Sequence, residues 1–324
     1  MLSTEELLRK AVLTVISDTP DFGGAGQAPL SIEQVTQFIE LMAAEQVMLK
    51  EARTVTSSAS KWQESIIDFG ARIARPGTES TRLSSGDRVI PTTGLVEIST
   101  VLIRGEVPVS DETFEDQVAG ANLVNSLERL IADQFGYDIE DLFVNGDTAS
   151  ADTLLAQFNG WLKSAKSDTG NNAFDASSYG QDYQEIFKQL LIKMPKRFLG
   201  KLKASGRFYV PVTLEQKYRD LLATRGTALG DFMLTQGGDL AYQGIKIVGA
   251  PSFDSGITAG TPDTCSVLLT WPLNLYAGYH RAMKFETYRD PREGVTSFVI
   301  TARVDAEVAV VKSTALAYSV NVEP

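Results

Sequence analysis

The sequence predicts an α+β fold in which one domain is interrupted by the insertion of another. Three observations carry this reading. An alternating segment, Val101-Leu-Ile-Arg-Gly-Glu-Val-Pro-Val109, runs through Ser110 straight into one long amphipathic helix that ends near Asn145-Gly146-Asp147. Residues 176–280 alternate helix-like and strand-like segments. The closing stretch, Met283 to Tyr288 and then Val295 to Val322, alternates like a β-meander dense in Val and Ala. It should pair with the strand that precedes the long helix, which makes the first domain discontinuous.

Taken in order, residues 4–17 and 31–46 read as two helices. Leu7, Leu8, Ala11, Val12 and Val15 mark one face of the first, and Ser31, with Gln34 three residues on, caps the second. Asp18 to Leu30, rich in Gly and Pro, is a hinge between them, so residues 1–60 form an arm that needs a partner surface. Residues 61–94 change character. An alternating segment from Trp62 to Ile73, a turn-prone tip from Arg75 to Arg82 and Ser84-Ser-Gly-Asp87, and a return strand through Val89-Ile-Pro91 describe a long hairpin. Such a hairpin is marginal alone and must meet another surface, for which a neighbouring subunit is the economical candidate. Trp62, Arg72, Arg75, Arg82 and Arg88 are its candidate contacts, arginine being suited to bidentate pairing with carboxylates at interfaces.

In the long helix, Ser110 is the expected cap, Asp111, Glu112, Glu115 and Asp116 complement the positive end of the dipole, and Phe114, Val118, Ala121, Val124, Leu127, Ile131 and Phe135 form an apolar face. The roughly 25 residues before Gly136 give a rod of about 37 Å, longer if the helix resumes through Phe143. Residues 154–178 look like a crossing between domains. The inserted block then reads as helix Gln181 to Met194, strand Arg207 to Val212, helix Leu214 to Ala223, strand Ile245 to Gly249, loop Pro251 to Asp263 and strand Ser266 to Trp271. Lys193-Met-Pro-Lys-Arg197, with Lys201 and Lys203, reads as a solvated helix end and turn, with anion contact as its other role.

Composition narrows the function. A chain of 324 residues, 43% hydrophobic and 22% charged, is an ordinary folded protein with room for two domains. The start, Met1-Leu-Ser-Thr-Glu-Glu, is unlike a signal peptide, and no window approaches a membrane span, so a cytoplasmic protein without membrane partners is expected. The single Cys265, in an apolar run, permits no intrachain disulfide. A net charge of −11 argues against tight nucleic-acid binding and is equally compatible with simple solubility or with a container wall that does not stick to enclosed DNA.

The search for chemistry is negative. The one histidine, His280, leaves no Ser-His or Cys-His scheme with a recognisable motif, and one Cys with one His excludes the common zinc sites. Gly23-Gly-Ala-Gly26 lacks the strand-loop-helix context of a phosphate loop and is a hinge. Gly237-Gly238 and Asn145-Gly146-Asp147 read as turns in which glycine supplies a positive φ. Carboxylate pairs such as Glu115-Asp116 and Glu140-Asp141 are dipole partners and solubilising charge. No catalytic, cofactor or metal residue is expected, and the silence favours assembly.

These segments in their order resemble the tailed-bacteriophage major capsid proteins of the Hong Kong 97 fold family. The likeness lies in the arm, the long hairpin or E-loop, the strand followed by Val109-Ser-Asp-Glu-Thr-Phe-Glu-Asp116 like the start of the family's spine helix, and Asn145-Gly-Asp147 closing it. Gly160-Trp-Leu162, Phe208-Tyr-Val-Pro-Val212, Leu240 to Val248 and the closing meander continue it. The resemblance implies arm 1–60, E-loop 61–94, a peripheral domain at 95–175 and 281–324 with a spine helix carrying Phe114, Val118, Leu127 and Ile131, and an axial domain at 176–280. It also implies a non-enzymatic subunit of an icosahedral shell, assembled as pentamers and hexamers in the host bacterial cytoplasm. That shell would surround double-stranded DNA, with a portal and a decoration protein as further partners. Two departures matter. The arm begins almost at Met1, which points to a separate scaffolding protein, and Gln63 to Pro91 contains no lysine, which puts lysine-to-asparagine crosslinking in doubt.

Three rivals stay open. An encapsulin-type nanocompartment is similar in fold but encloses a cargo protein. An α/β hydrolase or transferase would place its site in residues 176–280. A tail or portal-associated protein would form rings or tubes.

Overall fold

The computed structural model describes residues 46–68, 72–77, 79–80, 82–110, 121–167, 172–223, 240–258, 260, 262–280 and 284–322. The helices expected at 4–17 and 31–46, apart from Gln46 at the end of the second, the glycines at 23–26 and 237–238, the acidic first turn at 111–116, Phe114 and Val118 lie outside the described residues.

Among the described residues the strands form three sheets. The first is centred on β12 (Val295–Val308) and also holds β1 (Arg53–Ser57), β4 (Val101–Ser110), β10 (Leu275–His280) and β11 (Lys284–Asp290). β12 pairs antiparallel with β4 along ten residues, from Val295 opposite Ser110 to Val304 opposite Val101. Its other edge carries β11 and then β10. The predicted partnership between the closing strand and the strand before the helix is therefore present. β12 is mostly buried because both of its edges and both faces are covered, which explains its dense run of Val, Ile, Phe and Ala. β1, inside the expected helical arm, is an addition that the sequence reading missed. It lies parallel to β10, with Arg53 opposite Tyr276.

The helix α1 (Ala121–Asn145) has 25 residues and a length of about 37 Å. It runs through Gly136 without a break. Phe135, Ile139, Leu142 and Phe143, spaced by three and four, bury against Ala277, Tyr279, Ile300, Ala302 and Val304 of the first sheet. Each such side chain contributes about 1.5–3 kcal/mol. Ile131 is half-buried against the same cluster, and Leu127 belongs to the helix, its side chain outside the described ones. Phe143 meets Trp161 of α2 (Trp161–Lys166) with ring centroids 5.7 Å apart, and Tyr279 at 5.9 Å.

The second sheet has the order β5-β13-β9-β6-β8-β7, formed by β5 (Ala173–Asp175), β6 (Arg207–Val210), β7 (Ala241–Tyr242), β8 (Ile245–Gly249), β9 (Thr264–Thr270) and β13 (Ala315–Asn321). Helices α3 (Tyr183–Lys193), α4 (Lys196–Ser205) and α5 (Val212–Ala223) contribute to its core, where Phe187 stacks near Phe208 at 4.9 Å and Tyr218 at 5.2 Å. α5 links the parallel pair β6 and β8, which require a crossover. The last strand, expected with the peripheral meander, instead pairs β9 and β5 here, and β10, expected in the inserted block, belongs to the first sheet. The segment from Val311 to Thr314 turns the chain from one sheet to the other.

The third sheet is the hairpin of β2 (Lys61–Asp68) and β3 (Thr92–Ser99), in register from Lys61 opposite Ser99 to Asp68 opposite Thr92. The expected return strand at Val89 to Pro91 is not one: Pro91 has no N–H for a ladder, and pairing begins at Thr92. Two further corrections concern punctuation. The Lys193-to-Lys203 tract is a helix end and turn only as far as Pro195; from Lys196 it is helix α4, with an apolar face of Phe198, Leu199 and Leu202. The loop from Pro251 opens with a helix, α6 (Pro251–Ser255), with proline in its first turn.

Gly146 is not a positive-φ residue; among the described glycines those are Gly180, Gly244 and Gly294. It is needed for close approach. A Cβ there would lie 2.6 Å from the carbonyl oxygens of Leu142 and Phe158, and one on Gly160 would lie 2.6 Å from that of Phe143. The Gly160 N–H donates to the Gly146 carbonyl at 2.8 Å, so the end of α1 and the start of α2 touch backbone to backbone. Gly160→Ala is expected to lower the free energy of unfolding by about 1–3 kcal/mol. Gly200→Ala, where a Cβ meets nothing within 4 Å, should leave it unchanged or raise it by up to about 1 kcal/mol. Urea titration of dispersed subunits, followed by tryptophan fluorescence, reads both, and equal midpoints would contradict the packing argument.

Candidate assembly surfaces

The hairpin is fixed at its root by its own subunit. Val96 and Ile98 of β3 are buried with Tyr276 of β10, and Val55, Trp62 and Ala309 close around them. Gly278 permits this, since a Cβ there would stand 2.6 Å from the Ile98 side chain. Arg53 ties three strands together. Its guanidinium donates to the Tyr276 hydroxyl at 2.7 Å and to Glu64 of β2 at 2.7 Å, and lies 4.8 Å from the Tyr276 ring centroid. Trp62, proposed from sequence as a contact to a neighbour, thus has its ring against its own β10 and β3.

Asp305 of β12 completes the root. Its carboxylate accepts the Ser99 N–H at 2.6 Å, where β3 ends, and the Ala306 N–H at 2.9 Å. Burial pushes its carboxyl up to about 6, against the pull of those two amides. Glu307, two residues on, is raised for the same reason, with Asp305 adding to it. Neither residue stood out in the sequence, because a lone Asp in a strand of alternating polar residues reads as solvent-facing.

Beyond the root the hairpin turns outward. Arg72, Arg75, Arg82 and Arg88 are all exposed. Arg75 lies 3.8 Å from Asp87, and Arg88 donates to the Leu83 carbonyl at 3.1 Å, so these two brace the tip from within. The same excursion exposes large apolar side chains: Ile90 at 82%, Leu95 at 62% and Ile73 at 58%. A surface of arginines and bare aliphatic groups is the composition expected where a second protein surface arrives.

A second anchor holds part of the N-terminal arm itself. Glu140 of α1, 1% exposed, accepts the N–H groups of Met48 at 3.1 Å and Leu49 at 3.2 Å, and the Ser252 hydroxyl of α6 at 2.9 Å. Burial raises its carboxyl above the ordinary glutamate value, and the three donors oppose that rise. The sequence reading of Glu140 as exposed solubilising charge is therefore corrected. Its neighbour Asp141, half-buried, accepts from Asn145 at 2.7 Å and from Ser255, and Asn145 donates to the Ser252 carbonyl at 2.6 Å. Glu51 extends the knot by accepting the Tyr209 hydroxyl at 3.1 Å.

Nothing in these constellations resembles a reaction centre. His280 closes β10 opposite Ser57, and Cys265 is buried in β9, its thiol pushed up to about 12 by desolvation. No group of three or more metal-ligating side chains occurs among the described residues, and no described helix is long and apolar enough to cross a membrane. A hairpin with an exposed tip, a rod, two sheets and buried carboxylates that grip the hairpin and the arm make a building block.

Comparison with known proteins agrees. The sequence matches the phage capsid family over residues 26–318. The chain belongs to that family. It is 29% identical over 309 residues to the putative prophage capsid protein YqbE of Bacillus subtilis strain 168, covering 94% of this chain and 95% of that one. Its fold is similar to that of a chain in the procapsid of satellite phage P4 with its size determination protein, with a TM-score of 0.68 at 12% identity, covering 99% and 98% of the two chains. A capsid chain of the native GTA particle follows at TM-score 0.60 and 13% identity, covering 93% and 95%. The SrpI encapsulin of Synechococcus elongatus PCC 7942 shares the fold at TM-score 0.55 and 9% identity, covering 97% and 96%. The capsid protein therefore has the Hong Kong 97-type fold, and its role is structural, as a subunit of an icosahedral shell in the virion.

The buried Asp305 gives the capsid protein a defined pH dependence. Its folded-state pKa is raised from 3.8 to about 6, so the folded chain keeps a proton that the unfolded chain has lost. Its contribution to stability is complete below about pH 3.8 and is lost as pH rises through about 6. The full span amounts to at most about 3 kcal/mol. Asp305→Asn should flatten that part of the stability-against-pH curve relative to wild type. Glu140 acts in the same direction and remains, so the slope falls without vanishing. Chemical denaturation across the range reads the difference, and parallel curves would show that Asp305 is not the buried titrating group.

Proposed function

We propose that copies of this chain close into pentamers and hexamers by noncovalent contacts in which the hairpin of one subunit lies across its neighbour. The observation that carries this is the contrast within the hairpin: a root fixed by Asp305, Arg53 and the Ile98 cluster, and an outer part that exposes Ile73 and Ile90, with Leu95 exposed on the ladder itself. A two-stranded excursion is marginal in water unless another surface covers it. Many modest contacts of this kind, repeated by symmetry, add up to a durable wall. The absence of lysine from Gln63 to Pro91 leaves the noncovalent route as the economical one.

In this reading the arm spans 1–60, the E-loop 61–94, the axial domain 176–280 and the peripheral domain 95–175 with 281–324, except that β10 joins the peripheral sheet and β13 the axial one. The first sheet and α1 support the peripheral assignment, and α3, α4 and α5 over the second sheet support the axial one. The enclosed material is double-stranded DNA, assembly takes place in the host bacterial cytoplasm, and a separate scaffolding protein, a portal and a decoration protein are the further partners. The encapsulin shares the fold alone, whereas the sequence-level likeness is to phage capsid proteins, and this favours DNA over a protein cargo.

Deleting Arg75 to Arg82 should leave folded subunits, since the root contacts lie elsewhere, but few closed shells. Electron microscopy with light scattering on the same fractions reads both, and normal particles from the deletion would remove the hairpin from the assembly mechanism.

A further inference from the structure

The acidic chain contains one stretch of opposite character. From Lys193 to Arg207 there are six cations and no carboxylate, in a protein of net charge −11. Arg207 is half-buried and lies 3.6 Å from Glu51, which removes it from the surface. Lys193, Lys196, Arg197, Lys201 and Lys203 are exposed. In three other places a carboxylate stands beside a cation: Lys163 meets Asp147 at 2.7 Å, Lys188 meets Glu185 at 2.8 Å and Arg219 meets Glu215 at 3.0 Å. Among the described residues no such partner stands within 4 Å of Lys193, Lys196, Lys201 or Lys203.

The geometry of α4 holds this charge in one place. Phe198, Leu199 and Leu202 seat the helix on the second core, the Lys201 ammonium lies 4.1 Å from the Trp271 ring centroid, and Arg197 lies 4.4 Å from that of Phe198. Lys196, Arg197, Gly200, Lys201 and Ala204 recur at helical spacing on the opposite, exposed face. Gly200 and Ala204 keep the middle of that face low, with open space above Gly200. From Lys196 to Lys203 the rod advances about 10 Å, a length along which duplex DNA presents about six phosphates.

We propose that α4, with Lys193 at the end of α3, is a binding patch for the phosphate backbone of double-stranded DNA without sequence preference. The proposal rests on the reading that the shell encloses DNA. Lysine predominance favours phosphate over a second protein: lysine is depleted in protein interfaces, where arginine is enriched, yet its hydrated point charge serves well as a phosphate contact. With no base-reading element near it, the patch would hold the nearest turn of a packed duplex while the acidic remainder keeps the wall from trapping DNA elsewhere.

The test is fluorescence anisotropy of a short labelled duplex of mixed sequence, titrated with full-length subunits at several salt concentrations, alongside electron microscopy of the same preparations. Lys193→Gln/Lys196→Gln/Lys203→Gln leaves the stacked Lys201 and Arg197 in place. It should weaken binding at low salt at least about tenfold and lower the salt slope by about 3, one step for each lost phosphate contact. Lys163→Gln/Lys188→Gln, which removes paired lysines, should leave both unchanged. Failure of wild type to bind the duplex, or equal loss in the two variants, overturns the patch. So does a triple variant that binds DNA normally but no longer self-associates, since the patch would then serve another subunit. Closed shells from the triple variant with lost DNA binding support it, whereas wild-type subunits that never close into shells, even with a scaffolding partner supplied, overturn the enclosing reading itself.

Discussion

Everything else in the molecule depends on the ten-residue ladder between β4 and β12. These strands are separated in sequence by the long helix and the whole inserted block, so closing the ladder carries a substantial chain-entropy cost before any pair forms. It is offset by what the ladder organises. Once β12 lies beside β4, its opposite edge receives β10 and β11, and Ile300, Ala302 and Val304 offer the apolar surface on which α1 comes to rest. The hairpin leaves the core immediately before β4, so its angle of departure is set by the same strand. The fold thereby joins a local element, the rod, to a nonlocal one, the sheet, through a single shared face.

That arrangement explains why the hairpin can be rigid at one end and adaptable at the other. Near β10 it shares a small core and the Arg53 network, and moving it would expose Ile98 and strand the Ser99 N–H. Among the described residues past Asp68 and before Thr92 there is no ladder to lose, and the described side chains there are mostly exposed. A shell subunit occupies several slightly different neighbourhoods, and a pivot with an adjustable tip suits that demand better than a uniformly stiff arm.

Much of this was legible in the sequence wherever period and order sufficed. The strand β4, the rod through Phe135, the hairpin and the pairing of β12 with β4 all follow from alternation against three-and-four spacing. What was missed depends on tertiary context. β1 is five residues long with little alternation in burial, and only its parallel partner β10 makes it a strand. Gly136 looked like a break because glycine is a weak helix former, yet it is buried in the rod, where packing overrides propensity. β13 follows the meander pattern of its predecessors, and no local signal reveals that the chain changes sheets after Val311. The expected arginine contacts are exposed as a class, while Trp62, grouped with them, faces its own subunit.

The least legible residues are also those that connect the excursions to the body. Glu140 receives the N–H groups of Met48 and Leu49, where the arm enters, and Asp305 receives that of Ser99, where the hairpin ends. In both cases a buried carboxylate on the core grips main chain, not side chain, of a segment bound for another surface. Such a contact fixes direction and register whatever side chains the segment carries, leaving those free to suit the neighbour. It has an energetic cost, visible in the raised pKa of each acid, that an apolar contact would avoid. Replacing either acid by an apolar residue would remove that cost but orphan buried amides at about 1–3 kcal/mol each. The balance therefore favours the carboxylate only where the backbone must arrive at a defined angle, and in this chain those places are the roots of the two excursions.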